Sequence, residues 1–233
     1  MFGVYSYGYF NYIIYMLPAL LLTVYAQIKV KTSFSKYQAV SSTRGFSAAD
    51  IARQILADFG LSNVKVERVS GSLSDHFDPR TNVVRLSETV HDSTSISAIG
   101  VAAHEVGHAI QYASGYFPIK LRSFILPVCN FGSGISPFLL LFGLLFNMPA
   151  LYFLGIATFS LVALFQLVTL PVEFNASNRA LAILSQNKIL YDEELKGAKK
   201  VLRAAALTYV AALLTSLLQI FYYLSRFQKN SRR

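Results

Sequence analysis

His104-Glu105-Val106-Gly107-His108 is the stretch that decides how this 233-residue chain is read. It has the form H-E-x-x-H. Residues i and i+4 of a helix share one face, about one turn apart. The pattern therefore predicts two imidazole nitrogens offered to a single zinc ion. Glu105 is displaced around the same helix and can reach a water on that ion, as a base and not as a ligand. A chain with only 4 histidines seldom produces this spacing by chance. Its neighbours predict a helix: Ser93 to Ser97 offer N-caps, and Gly115 offers a stop. Ile96, Ile99, Ala103, Gly107 and Ile110 recur at helical spacing, as an apolar stripe beside the histidine face.

Composition says where such a site would sit. Hydrophobic residues make up 54% of the chain and charged residues 14%, too apolar for an ordinary soluble domain of this size. The net charge of +9 comes from basic residues that flank long apolar runs. No nucleic-acid motif accompanies it, so the expected partner is an anionic lipid surface and not nucleic acid. The single Cys129 excludes an intrachain disulfide and reads as a small hydrophobe.

In order, residues 1–28 carry no charged side chain, and Val4 to Ala26 is long enough to span a bilayer as a retained anchor, with Pro18 inside it. Lys29 to Arg44 reads as a basic linker leaving the membrane. Residues 29–122 then form the expected catalytic region. Within it, Ser47-Ala-Ala-Asp50 resembles a capping box, and Ile51, Ile55, Leu56 and Phe59 predict a helix ended by Gly60. Val64, Val66 and Val69 predict a short strand. A turn at Asp78-Pro79-Arg80-Thr81-Asn82 separates two further extended stretches, giving a small sheet before the H-E-x-x-H helix. An edge strand there can capture peptide backbone, or the sheet can simply pack the helix.

Residues 123–172 form fifty positions without a charge, broken at Asn147-Met-Pro-Ala150, and read as a transmembrane hairpin. Residues 173–203 are polar again, 204–225 make a fourth span, and 226–233 form a basic tail. The expected fold class is mostly α with a small β-sheet (α+β), joined to about four transmembrane helices.

A catalytic zinc ordinarily keeps three protein ligands and one open position. In glutamate-type zinc peptidases the third is a Glu on a later helix. Glu173 begins Glu173-Phe-Asn-Ala176-Ser177-Asn-Arg179-Ala180, and two spans separate it from His108, so the chain returns to the same side of the membrane. Ser177, four positions on, has the spacing to orient a ligand histidine. A carboxylate favourable at a helix start is the plainer reading of Glu173. His76 is the alternative third ligand, and otherwise a donor to the substrate carbonyl or merely an exposed turn histidine. Tyr112, Tyr116 and Arg179 are further oxyanion candidates.

These pieces resemble the YugP-like bacterial membrane zinc metallopeptidases. The resemblance rests on Asp75-His76-Phe77-Asp78-Pro79, Val83 to Ser87, Ala98 to Gln111 and Pro171 to Ala180, and with the spans it covers nearly the whole chain. More distantly the chain resembles the glutamate-type membrane peptidases that include HtpX and the prenyl-protein proteases. Those carry E-x-x-A-D where this chain has E-x-x-A-S at 173–177. The resemblance implies a zincin-like catalytic domain and peptide-bond hydrolysis with zinc; the expected partner is a peptide or protein substrate, with membrane proteins among the candidates. Zn2+ would be held by His104, His108 and Glu173, with Glu105 as general base and His76 as a candidate catalytic residue. A non-catalytic membrane adaptor that keeps the metal for stability is the competing reading; intact His104, Glu105, His108 and Glu173 argue against it. A transporter would ordinarily place charges inside its spans, which are uncharged here. Lys and Arg are concentrated in 29–122 and 173–203, which places those segments in the cytoplasm and both termini outside. Substrate sequence and oligomeric state are not written in these residues.

Overall fold

The computed structural model describes residues 2–230, with side chains described for 10–227. Six helices and three strands follow in the order α1 (Phe2–Gln38), α2 (Ala48–Asp58), β1 (Lys65–Val69), β2 (His76–Asp78), β3 (Val83–Ser87), α3 (Ile96–Ala113), α4 (Phe117–Leu145), α5 (Pro149–Gln186) and α6 (Asp192–Asn230). The fold is mostly α with a small β-sheet. Four helices among the described residues, α1, α4, α5 and α6, are long and apolar enough to cross a membrane. The chain forms two compact units.

One unit comprises Met1–Ala26, Leu121–Leu170 and Thr208–Arg233. Its packing uses small residues. A Cβ on Gly155 would lie 2.8 Å from Leu140, and one on Gly132 2.8 Å from Leu161, so glycine lets α4 and α5 approach closely. The outer faces are bare and aromatic: Phe124 is 78% exposed and Phe131 72%. Such a surface matches lipid, not water. The break between the two helices is short. Asn147 takes a positive φ of 52° and Pro149 opens α5, a position where its missing N–H costs nothing.

The second unit comprises Gln27–Lys120 and Pro171–Leu207 and holds the aqueous-type core. Ser47 caps α2 by accepting from the Asp50 N–H at 3.2 Å, while the Asp50 carboxylate accepts from the Ser47 hydroxyl at 2.6 Å. Gly60 follows the helix at φ 71°. The buried face of α2, with Ile51, Ile55 and Leu56, belongs to one cluster with Ile99, Ala102, Ala103 and Val106 of α3. Each fully buried aliphatic side chain of this kind contributes about 1.5–3 kcal/mol.

The sheet has the order β1-β3-β2, with β1 parallel to β3 and β2 antiparallel to it. Val84 pairs with Val66 on one side and Phe77 on the other. β3 is central, which is why Val83, Val84, Leu86 and Ser87 are all buried. Asp78 organises the tight turn before β3. Its carboxylate accepts from the Arg80 N–H, the Thr81 hydroxyl at 2.7 Å and the Arg85 guanidinium at 2.9 Å. The Thr81 hydroxyl, then Arg85 and the Arg80 amide, hold that carboxyl well below the usual range.

Three boundaries drawn from charge are not helix ends. The stretch read as a linker is helical as far as Gln38. Helix α5 runs unbroken through Glu173, and α6 runs through 192–203 into the fourth apolar stretch. The reason is physical: a polar segment continues a helix wherever one face stays buried. Ala198, Val201 and Leu202 are such a face of α6, each at most 3% exposed. Glu173 consequently lies mid-helix, and the helix-start reading of its carboxylate does not hold.

Candidate metal centre

Helix α3 begins at the N-cap Ser95, whose hydroxyl accepts from the Ala98 N–H at 3.3 Å, and is followed by Gly115 at φ 67°. The predicted stripe is buried throughout, and the adjoining face carries His104 and His108. Against it lies the part of α5 that carries Glu173. Gly107 makes the approach possible, since a Cβ there would stand 2.8 Å from the Ala176 carbonyl oxygen. Ala176 and Ala180 are fully buried.

His104, His108 and Glu173, sixty-five positions beyond His108 in sequence, each present one donor atom, all within 4.8 Å of one another. His104 Nε2 lies 3.3 Å from Glu173 Oε2, and His108 Nε2 lies 3.7 Å from the same oxygen. Around a tetrahedral zinc with bonds of about 2.0–2.1 Å, neighbouring donors stand roughly 3.3–3.4 Å apart. Direct charge-assisted hydrogen bonds would be shorter, about 2.7–2.9 Å. The two rings sit edge to face with centroids 4.7 Å apart, so both Nε2 atoms converge without the rings stacking. Two imidazoles and a buried carboxylate form a donor set that fits zinc.

The far side of each ring is also held. Ser177 Oγ lies 3.1 Å from His104 Nδ1, as its spacing from Glu173 predicted. Gln111 Oε1 lies 2.9 Å from His108 Nδ1. Gln111 escaped the sequence reading as a functional residue, because a glutamine three positions beyond H-E-x-x-H carries no signal of its own.

Glu105 does not join the donor set. Its Oε2 accepts from the Phe77 backbone N–H at 3.1 Å. Phe77 lies on β2, an edge of the sheet, so that edge faces the candidate base. β2 is fixed in turn by Asp75, which accepts from the Ser87 N–H at 2.7 Å and the Ser87 hydroxyl at 3.0 Å. Burial raises the Asp75 carboxyl above its ordinary value, and the two Ser87 donors offset only part of that. The Asp75-to-Pro79 stretch thus supplies an anchor, an amide and a turn.

His76 is exposed and stands outside the donor cluster; its Nδ1 is 2.8 Å from the Ser74 carbonyl. A neutral ring spends its one hydrogen on that carbonyl, leaving Nε2 an acceptor. Of the other oxyanion candidates, Arg179 donates its Nε–H to Asn175 Oδ1 at 2.8 Å, and the Tyr112 ring packs 5.6 Å from that of Phe77.

Burial pushes His108 down, but the Glu173 and Glu105 carboxylates and the bond to Gln111 outweigh it, and its pKa lies above the ordinary histidine value. A histidine raised on folding adds stability that is fully present below the unfolded value of about 6.5 and is lost as pH rises through the folded value. Metal-free protein is therefore expected to melt at a higher temperature near pH 6 than near pH 8. Zinc, which needs the unprotonated ring, should bind progressively more weakly as pH falls. Thermal melts with and without zinc across that range measure both.

A multi-pass membrane protein with a His–His–Glu donor cluster is the class that this fold and site define. The family model described as "putative neutral zinc metallopeptidase" matches residues 12–228. The chain is also 49% identical over 216 residues to the "putative membrane protease YugP" of Bacillus subtilis (strain 168), an alignment covering 93% of this chain and 96% of that protein. The chain belongs to this YugP-like zinc metallopeptidase family. No solved structure matches it significantly.

Proposed function

We propose that this chain is an integral-membrane zinc endopeptidase of the glutamate (gluzincin) type. The observation that carries this reading is the convergence of three donor atoms from α3 and α5 beside a separately held Glu105. His104, His108 and Glu173 are the residues that would hold the metal. Bound zinc in such a set lowers the pKa of its water toward neutrality and polarises a carbonyl. Glu105 accepts the water's proton and delivers it to the leaving amine. Its carboxylate is already oriented by the Phe77 amide. His76 can donate to a carbonyl oxygen from Nε2 only as the imidazolium, which makes it a conditional member of the site. The substrates are peptides or proteins, with membrane proteins as one candidate class.

In this reading the segments 29–122 and 173–203 together form the catalytic region, and the Lys/Arg bias supports a cytoplasmic orientation for it. A C-terminal tag should then be cut by protease added to intact cells; a protected tag reverses the orientation. For the activity, the purified full chain should cleave a casein-like or membrane-protein substrate. Cleavage should stop with a chelator and return with zinc. Hydrolysis indifferent to the chelator, or absent with zinc bound, rules the proposal out and leaves the adaptor reading.

A further inference from the structure

Gln111 is completely buried, at 0% exposure, and every polar atom of its amide is engaged. Its Nε2 lies 2.8 Å from the Val172 carbonyl oxygen and 3.0 Å from Asn175 Oδ1, and its Oε1 lies 2.9 Å from His108 Nδ1. The direction of each bond follows from the next. Arg179 Nε, 2.8 Å from Asn175, can only donate, so the Asn175 atom facing it is the oxygen. The end of Gln111 that meets this oxygen and a backbone carbonyl must be the NH2 group. Its carbonyl oxygen therefore faces His108 and can only accept. His108 must carry its hydrogen on Nδ1, and the lone pair of its neutral ring is on Nε2.

We infer that Gln111 is a positioning residue for metal binding: it locks His108 in the Nδ1–H form, aims the Nε2 lone pair at the metal position, and ties that ring to the backbone beside Glu173. The inference rests on the zinc-site reading above. It leaves Nε2 of His108 facing the Glu173 carboxylate at 3.7 Å, across a space that suits a cation. It also gives Asn175 and Arg179 a part, as the members that fix which way round the Gln111 amide sits. Val172 immediately precedes Glu173, so one side chain sets both the ring of the ligand from α3 and the distance to the ligand from α5.

Gln111→Met keeps nearly the same volume and removes all three hydrogen bonds. Zinc affinity of the purified full chain, measured by competition against a chromophoric chelator, is expected to fall 10- to 100-fold, the usual effect of losing a group that orients a ligand. A merely structural glutamine would lower stability without singling out one ring. Proton NMR of the Co2+-substituted protein separates the two cases. In the wild type, the paramagnetically shifted Nδ1–H of His108 should exchange slowly with water. In Gln111→Met it should exchange rapidly, while that of His104, beside Ser177, is unchanged. Affinity within twofold of wild type overturns the inference, as does a wild-type His108 Nδ1–H that exchanges freely. The wild-type measurement decides the matter even if the variant does not accumulate. A wild type whose zinc binding does not depend on His108 overturns the proposed function and this inference with it. Full-affinity zinc in Gln111→Met removes the inference alone.

Discussion

Glu105→Gln is expected to lower kcat by on the order of 10²–10⁴ while leaving zinc bound. The amide has nearly the carboxylate's shape and still accepts from the Phe77 N–H, so the helix and the β2 edge are undisturbed. It cannot take a proton from water at neutral pH. His104, His108 and Glu173 are untouched, so metal content should stay at one zinc per chain. Metal analysis beside the proteolysis assay measures both quantities. A Glu105→Gln variant that cleaves at the wild-type rate would remove the carboxylate from its role as base.

Glu173→Ala is expected to act on the metal itself. Zinc sites of four protein ligands bind with about 10–16 kcal/mol, so one donor carries on the order of 3 kcal/mol. Affinity should fall roughly a hundredfold or more, with activity lost at ordinary zinc levels. The variant also leaves a small void beside two buried histidines, and excess zinc should recover only part of the activity. The contrast between the two substitutions is diagnostic, since one loses chemistry with the metal kept and the other loses the metal. Retention of zinc by Glu173→Ala would show that another residue supplies the third donor.

The triplet His104, Glu105 and His108 could be read from the chain because its geometry is local. Four residues along a helix make one turn, and no distant contact alters that. Glu173 is legible by a longer route, through its resemblance to a family pattern and the two spans that separate it from His108. Ser177 followed from its spacing to Glu173. The four apolar helices were equally legible, since lipid leaves a compositional mark on every residue that faces it.

Other features came from packing between segments distant in sequence. Charge marked 29, 173 and 204 as boundaries, yet helices run through all three; in α6 a buried face on Ala198, Val201 and Leu202 outweighs the polar residues beside it. The sheet order puts β3 between β1 and β2, a pairing that alternation along each strand does not specify. Phe77 contributes a backbone N–H to Glu105, and an amide is present at every residue except proline, so nothing in the residue type announces it. Gln111 is silent for the same reason: its role comes from Val172 and Asn175, more than sixty residues away.

The sequence by itself determined the helical triplet, the membrane-spanning composition and the residue types available for a metal. Only the tertiary structure decided which carboxylate meets the imidazoles, which amide holds the base and which side chain fixes the His108 ring. Helical periodicity and hydropathy act over a few neighbouring residues and are written in their order. The meeting of α3 with α5 depends on the absence of a side chain at Gly107 and on close approach to Ala176, a relation that exists only once the chain has folded.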